Sequence, residues 1–167
     1  CGKHFPGLGS ASGDTHEGIT DISNSWTVKD LQPFDKLIQD NELDTVMVSH
    51  AFDKKLDPDY PSSLSQNIIT KMLRNDLGFE GVIICDDPSM RAISDHYSLE
   101  ETFKLMLDAG VDLFCLGNNL IYEPDYIPNA IKSVCDLISA GKIKKTRIER
   151  SIDKIELLKS NYGIGKK

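Results

Sequence analysis

Two histidines, a lysine and an aspartate lie together near the start of the sequence, in a stretch rich in glycine. Lys3 and His4 come first, and Asp14 and His16 follow after Pro6. Glycine gives such a loop backbone conformations that other residues avoid, so polar side chains can be placed at unusual angles. Asp14 stands two residues from His16, close enough for its carboxylate to hold one imidazole nitrogen and raise the basicity of the ring. This spacing predicts half of an active site.

Asp86 and Asp87 are the second candidate for chemistry. They follow residues 82–85, an apolar run typical of a buried strand. A carboxylate at the tip of a strand can attack a sugar carbon or hold a metal; the alternative is that one aspartate caps the next turn and the other is solvated. Cleavage of a glycosidic bond needs a nucleophile or base and a proton donor. His16, oriented by Asp14, can give that proton and later activate water.

A metal site would use the same residue types, and its candidate ligands are His4, His16, His50, Asp86 and Asp87. The sequence has no HxH or HExxH spacing, so we rank this alternative below the metal-free one. His96 is interpreted as a rim or capping residue. Asn118 and Asn119 follow the last predicted strand, where they either touch a ligand or turn the chain.

Strands and helices alternate along the chain. The predicted strands are one that ends near His4 and those at residues 45–49, 82–85 and 111–116. Four predicted helices have caps, at Asp30, Ser65, Ser98 and Thr146. Asp30 is preferred to Thr27 as the first cap because Pro33 then falls in the first turn of the helix. One more helix carries Ile127, Ile131, Val134 and Ile138. The helices are predicted to end near Asn41, Gly78, Gly110 and Gly141, and the last one presents Ile148, Ile152, Ile155 and Leu158.

Strands that are apolar along their length and joined by helices predict a parallel α/β sheet covered on both faces. Polar residues end each predicted strand, and parallel α/β folds build their sites there. A doubly wound sheet would show a Gly-rich phosphate turn after its first strand, and neither GxGxxG nor a Walker sequence occurs. A complete (β/α)8 barrel needs about 250 residues. We therefore interpret residues 1–167 as the C-terminal half of a (β/α)8 TIM barrel, about strands 5–8.

Composition bounds the function. With 40% hydrophobic and 27% charged residues the chain is typical of a globular domain, and a net charge of −7 argues against nucleic acid as a partner. No apolar run approaches the roughly 20 residues of a membrane span. The first residues look like the end of a strand, so localisation stays open between cytoplasmic and exported. Cys85, Cys115 and Cys135 lie in apolar segments, which favours buried free thiols over disulfides.

These residues resemble the glycoside hydrolase family 3 barrel, and its β-N-acetylhexosaminidase branch most closely. The matching stretches are Lys-His-Phe-Pro-Gly at 3–7, Asp-Thr-His at 14–16, and residues 46–50, 57–65, 73–83, 86–87, 109–112 and 118–119. The resemblance implies a retaining exo-hydrolase that releases terminal N-acetyl-β-D-glucosamine, as in peptidoglycan or chitin-fragment turnover, without a metal or an organic cofactor.

The resemblance also assigns roles. Asp86 would be the nucleophile and His16, paired with Asp14, the acid/base. Lys3 and His4 would bind the sugar, and His50 and Asn118 are further candidates for substrate binding.

The sequence departs from the family pattern at Leu8, Cys85 and Pro88. The family's first four strands are absent, together with an arginine and an aspartate that they give to the sugar. We therefore expect the N-terminal half of the barrel, or another chain, to complete the fold. The alternative functions are a non-catalytic sugar-binding relative and a metal-dependent hydrolase.

Overall fold

The computed structural model of the chain describes residues 1–8, 11, 18–118 and 122–165. In this part of the chain, four parallel strands form one sheet in the order β1-β2-β3-β4. They are β1 (Gly2–Phe5), β2 (Thr45–Val48), β3 (Val82–Cys85) and β4 (Leu113–Phe114). The four predicted strand positions are confirmed. The last strand is shorter than the predicted 111–116. At its start the amide of Ile83 donates to the side-chain carboxylate of Asp112 (3.1 Å) and not to a backbone carbonyl of the neighbouring strand.

Helices connect the strands. They are α1 (Val28–Gln39), α2 (Asn67–Asp76, wound as a π-helix), α3 (Arg91–Ser94), α4 (Leu99–Ala109), α5 (Tyr126–Ser139) and α6 (Lys145–Asn161), with a single 3₁₀ turn at Ser62–Leu64. None of these described helices is long and apolar enough to cross a bilayer.

Two of the predicted helix caps are confirmed. Ser65 Oγ accepts the amide of Ile68 (3.1 Å) in the first turn of α2, and Ser98 Oγ accepts the amide of Glu101 (3.3 Å) at the start of α4. Gly110 ends α4 in the left-handed conformation, with φ of 115°.

Two other predicted caps are wrong. Helix α1 is capped by Thr27, because Asp30 reaches back to bond the Thr27 amide (2.9 Å) and hydroxyl (3.1 Å), and Pro33 lies inside the helix. Helix α6 begins at Lys145, with Thr146 already in its first turn. Arg147 fixes that turn instead, since its guanidinium donates to the carbonyl oxygen of Leu107 (2.8 Å).

The helices cover one face of the sheet. Consecutive, neighbouring parallel strands joined by right-handed crossovers place every connecting helix on the same side. Accordingly Val46, Val48, Ile83 and Cys85 are completely buried. The sheet was expected to be covered on both faces; in the described part of the chain this expectation is wrong, because the strand order never reverses direction.

A row of side chains lies on the opposite face. The strand register aligns them across the sheet as Lys3, Met47, Ile84 and Leu113. Met47 and Ile84 are half-buried, Lys3 is exposed, and Leu113 is 42% exposed. We call these four residues the open face.

The core consists of two clusters on the covered face. In the larger one, the rings of Phe5 and Phe34 meet edge to face with centroids 5.2 Å apart. In the smaller one, Phe103 of α4 packs against α5. Helix α5 turns Tyr126, Ala130 and Leu137 inward, whereas Ile127 (48%) and Ile131 (60%) of the predicted apolar set are exposed.

All four cysteines are free thiols. Cys85 is buried and Cys115 is half-buried. Cys135 is exposed, contrary to the prediction, because it lies on the outward side of α5.

Candidate active site

Polar side chains meet at the carboxyl ends of the strands. His4 Nε2 of β1 lies 3.7 Å from Asp86 Oδ2, which directly follows β3. The two are separated by β2, whose pairing with β1 is irregular: Lys3 pairs with Met47 and Phe5 with Val48, which leaves His4 as an extra residue. Such an irregularity redirects a side chain at the end of a strand. Both side chains are partly accessible, His4 at 31% and Asp86 at 20%.

Asp86 is oriented by its own neighbours. Its amide donates to the carbonyl oxygen of Val48 (3.0 Å), which continues the β2–β3 ladder into the loop. Its Oδ1 accepts the amide of Asp87 (2.9 Å). One carboxylate oxygen is therefore held by the backbone, while the other faces His4.

Asp87 takes the capping role that the sequence left open between the two aspartates. It is 7% exposed. Its Oδ1 accepts the amide of Ser89 (2.9 Å), which closes the turn, and its Oδ2 accepts the amide of Gly117 (3.0 Å) beyond β4. The adjacent carboxylates are thus divided, one buried and structural, the other facing the site.

His50 follows β2 and is completely buried. Its Nδ1 lies 2.7 Å from Ser63 Oγ, and its Nε2 lies 2.9 Å from the carbonyl oxygen of Asp87. Burial lowers the pKa of His50, since the charged ring would lose its hydration, and the hydrogen bond to Asp87 opposes this only in part. The ring is therefore neutral at neutral pH.

The other described candidates lie at the periphery. Lys3 belongs to the open face. Asn118 has a φ of 49°, and its side-chain amide donates to the carbonyl oxygen of Glu123 (2.8 Å) while its Oδ1 accepts the Glu123 amide (2.9 Å). Asn118 therefore shapes the loop after β4, and its contact with a sugar stays a prediction. His96 is exposed after α3, in keeping with a rim position.

Asp14, His16 and Asn119 lie outside the described residues. Of the described residues on either side of them, Trp26 Nε1 donates to the carbonyl oxygen of Pro6 (3.0 Å). An isolated β-bridge pairs Asp21, which precedes α1, with Phe52 in the loop after β2.

Among the described residues, no group of three or more His, Cys, Asp or Glu side chains is placed to hold a metal ion. Of the ligands named for the metal alternative, His50 has both ring nitrogens engaged by protein groups, and Asp87 has both carboxylate oxygens engaged.

Sequence reasoning missed two residues near the site. Ser63 is completely buried against His50, and its place in a run of serines after a Pro-rich loop gave no signal. Tyr126 is 8% exposed, and its hydroxyl is buried without a hydrogen-bond partner. Burial raises the pKa of Tyr126, and the negative charge of the nearby Asp87 raises it further.

This arrangement defines an α/β protein with a parallel sheet and a carboxylate–imidazole pair at the carboxyl ends of its strands. The family described as "Glycosyl hydrolase family 3 N terminal domain" matches residues 1–158. The chain belongs to this family.

The relatives agree. A beta-hexosaminidase of Psychromonas ingrahamii is 39% identical over 153 residues, covering 87% of this chain and 44% of the relative. A solved family 3 beta-N-acetylglucosaminidase from Paenibacillus sp. str. FPU-7 superposes with a TM-score of 0.86 at 29% identity, over 96% of this chain and 30% of that one. The beta-N-acetylglucosaminidase of Thermotoga maritima gives 0.80 at 33% identity, over 93% and 33%. The chain spans less than half the length of these relatives.

Proposed function

We propose that this chain forms the C-terminal half, about strands 5–8, of a (β/α)8 barrel. The sequential parallel order of the strands supports this, because helices on one face and a partly apolar open face form one side of a barrel wall. The exposed Ile127 and Ile131 of α5 and the 42% exposed Leu113 of β4 lie where a closing half would pack. The completing half is a preceding segment of the same polypeptide or another chain.

The whole protein then acts as a retaining exo-glycosidase that releases terminal N-acetyl-β-D-glucosamine. One observation carries this proposal. The Asp86 carboxylate is held on one side by the Asp87 amide and lies, partly accessible, 3.7 Å from His4 at the carboxyl edge of the sheet. A nucleophile needs this combination of fixed orientation and open access. The relatives named as beta-hexosaminidase and beta-N-acetylglucosaminidase supply the substrate class.

The mechanism is a double displacement. Asp86 attacks the anomeric carbon and forms a covalent glycosyl-enzyme as the glycosidic bond breaks, and His16 gives its proton to the leaving oxygen. His16 then removes a proton from water, which attacks the anomeric carbon and releases Asp86. In this mechanism the Asp14 carboxylate, two positions before His16 in the sequence, raises the basicity of the ring. Lys3 and His4 donate hydrogen bonds to sugar hydroxyls.

The substitution Asp86→Asn in the whole protein tests this function. We expect kcat on an aryl N-acetyl-β-D-glucosaminide to fall by about 10⁴-fold or more, since loss of a nucleophile removes the whole covalent route. Asp95→Asn, which changes an exposed carboxylate at the end of α3, is the matched control and should leave kcat unchanged.

Product stereochemistry is read in the same assay by proton NMR of the first-formed sugar. A β-anomer is expected from two inversions. An α-anomer, or undiminished turnover by the Asp86→Asn variant, would refute the mechanism. Sugar binding without turnover by the wild-type protein would identify a non-catalytic relative instead.

A further inference from the structure

His50, Asp87 and Gly117 connect the carboxyl ends of three neighbouring strands. His50 follows β2 and bonds the main chain of Asp87 after β3 (2.9 Å). The side chain of Asp87 in turn accepts the amide of Gly117 after β4 (3.0 Å). These bonds connect residues that follow the last paired residues of the strands, Val48, Cys85 and Phe114.

The partners of His50 fix its tautomer. A carbonyl oxygen only accepts hydrogen bonds, so the Nε2 that faces Asp87 must carry the proton. In the neutral ring Nδ1 is then an acceptor, and the Ser63 hydroxyl, 2.7 Å away, donates to it. The Asp87 carbonyl thus selects the tautomer, and the Ser63 hydroxyl satisfies the other ring nitrogen in it.

Asp87 transmits this constraint to Asp86. All four polar groups of Asp87 are engaged: the carbonyl with His50 and with the Met90 amide (3.0 Å), both carboxylate oxygens with backbone amides, and its own amide with Asp86 Oδ1 (2.9 Å). The amide that orients the Asp86 carboxylate therefore belongs to the residue whose carbonyl His50 holds. A shift at His50 would reach that donor through the backbone dihedral angles of Asp87.

Direct contact with a sugar does not account for His50. Its side chain is completely buried, and both of its polar atoms face protein partners. His4, 31% exposed beside Asp86, is the imidazole that faces the open mouth of the site.

We propose that His50, in the Nε2–H tautomer that the Asp87 carbonyl requires and with Nδ1 satisfied by Ser63, is a positioning residue that orients the Asp86 carboxylate through the Asp87 main chain. This inference rests on the proposed function of Asp86 as nucleophile. It replaces the sequence-based expectation that His50 binds substrate.

The first test needs no activity. In the whole protein labelled with ¹⁵N-histidine, and with resonances assigned by comparison with a His50→Gln variant, we expect a neutral His50 ring with its proton on Nε2. In a Ser63→Ala variant we expect the proton to stay on Nε2, because the Asp87 carbonyl still needs a donor, and the Nδ1 resonance to shift because that nitrogen has lost its hydrogen bond. A charged ring at pH 7, or a wild-type Nδ1–H tautomer, would overturn the proposal.

The second test compares two substitutions that each keep one half of the ring's hydrogen bonding. The amide nitrogen of glutamine reaches the place of Nε2 and can still donate to Asp87, whereas asparagine reaches only the place of Nδ1. We expect His50→Asn to lower kcat by about 100-fold with little change in KM, because a slight misplacement of a reacting group costs this much. His50→Gln should retain most of kcat.

Ser63→Ala and Ser62→Ala form the matched pair if His50 variants fold poorly. Both remove a buried hydroxyl from the same turn, but Ser62 Oγ donates to the Ala51 carbonyl (2.9 Å) and not to His50. We expect Ser63→Ala to lower kcat about fivefold, the rate equivalent of one ordinary hydrogen bond, and Ser62→Ala to leave it unchanged.

The outcomes separate three roles for His50. Equal kcat losses in the Asn and Gln variants, or in the two serine variants, would mean general core damage and would refute positioning. A rise in KM at constant kcat would mean sugar contact and would also refute it. If Asp86→Asn left turnover intact, the proposed function itself would fail, while the ring-nitrogen measurement would still decide whether His50 holds Asp87.

Discussion

The charged side chains at the two ends of the sheet differ in how they are paired and how accessible they are. At the amino ends of the strands, the charged side chains form a closed network around Asp112, just before β4. At the carboxyl ends, Asp86 and His4 are partly accessible and 3.7 Å apart. The same sheet therefore has one end in which charges neutralise one another and one end in which they face outward.

The amino end is held by two arginines that share one carboxylate. Asp112 Oδ2 accepts Arg74 Nη2 (2.5 Å), and its Oδ1 accepts Ser151 Oγ (2.6 Å) and lies 3.6 Å from Arg147 Nη1. Arg74 Nη1 donates to the carbonyl oxygens of Phe79 (2.7 Å) and Gly81 (2.6 Å). The network links α2, β3, β4 and α6, and its Asp112 side chain is only 4% exposed.

The carboxyl end leaves polar atoms unsatisfied. Among the described residues, the buried side-chain atoms without a hydrogen-bond partner are Asp53 Oδ2, Ser89 Oγ, Tyr126 OH and Ser133 Oγ. Asp53 and Ser89 belong to the segments after β2 and β3, and Tyr126 is the first residue of the helix after β4. A buried polar atom without a hydrogen bond lowers the stability of the fold. These atoms near the carboxyl end are therefore not explained by a contribution to stability. The difference is what the proposed function predicts, with stabilising contacts at the amino end and the proposed active site at the carboxyl end.

The largest effect on stability is expected from Asp112→Ala. The substitution leaves two mostly buried guanidinium groups without their carboxylate, which should lower the free energy of unfolding by about 3–5 kcal/mol. Denaturant unfolding of the whole protein measures it. Activity per folded molecule should be unchanged.

Asp86→Asn should show the opposite behaviour, with turnover lost and unfolding free energy hardly altered. The comparison between the two ends would be wrong if Asp112→Ala impaired kcat in fully folded protein. It would be equally wrong if Asp86→Asn destabilised the protein as much as Asp112→Ala.

Local patterns made much of this division predictable from sequence. The apolar runs and the polar residues after them located the strands and placed Asp86 at a strand tip, because both signals lie in consecutive residues of the sequence. The pairing of Arg74 with Asp112 spans 38 positions. No local rule reveals such a contact, because it arises only when α2 packs beside β4.

The same reasoning explains the incorrect predictions. Thr27 and Asp30 are both good caps, and in the structure they share one capping box in which Thr27 is the cap and Asp30 accepts its amide. The sequence offered His50 as a substrate-binding candidate because a histidine after a strand is equally suited to the open mouth and to the core beneath it. In the structure it is buried against Ser63, which lies 13 positions away.

A smaller effect on stability is expected from Gly110→Ala at the amino end. Gly110 has a φ of 115°, and an added Cβ would lie 3.2 Å from Ile69 Cγ2 and 3.2 Å from Thr70 Oγ1. The left-handed conformation costs a residue with a Cβ about 1–2 kcal/mol, and the contacts add to it. Gly141→Ala is the control, since Gly141 also has a positive φ (67°) but no atom within 4 Å of an added Cβ.

The melting temperature of Gly110→Ala should therefore be lower than that of Gly141→Ala, and both should be lower than that of the wild type. The kcat of each variant should be unchanged. A kcat loss confined to Gly110→Ala would show that the amino end also controls the chemistry, and the separation of roles would have to be abandoned.

The smallest effect is a pH dependence of stability that comes from the carboxyl end alone. The pKa of His50 is lowered in the folded protein, chiefly by burial, and the nearby Asp86 and Asp87 raise it while His4 lowers it further. Below about pH 6.5 the unfolded chain binds a proton at His50 that the folded chain does not. This contribution to stability is therefore fully present above pH 6.5 and decreases as the pH falls toward the folded-state pKa.

His50→Gln removes the titrating ring and should remove this part of the pH dependence. We expect the difference in melting temperature between wild type and His50→Gln to be constant above pH 7 and to shrink as the pH is lowered below 6.5, because only the wild-type protein loses stability through this ring. His96→Gln, which changes an exposed ring, should show no such convergence. A gap that widened on acidification would mean that the folded state favours the imidazolium, and a charged His50 would then donate from both nitrogens rather than accept from Ser63.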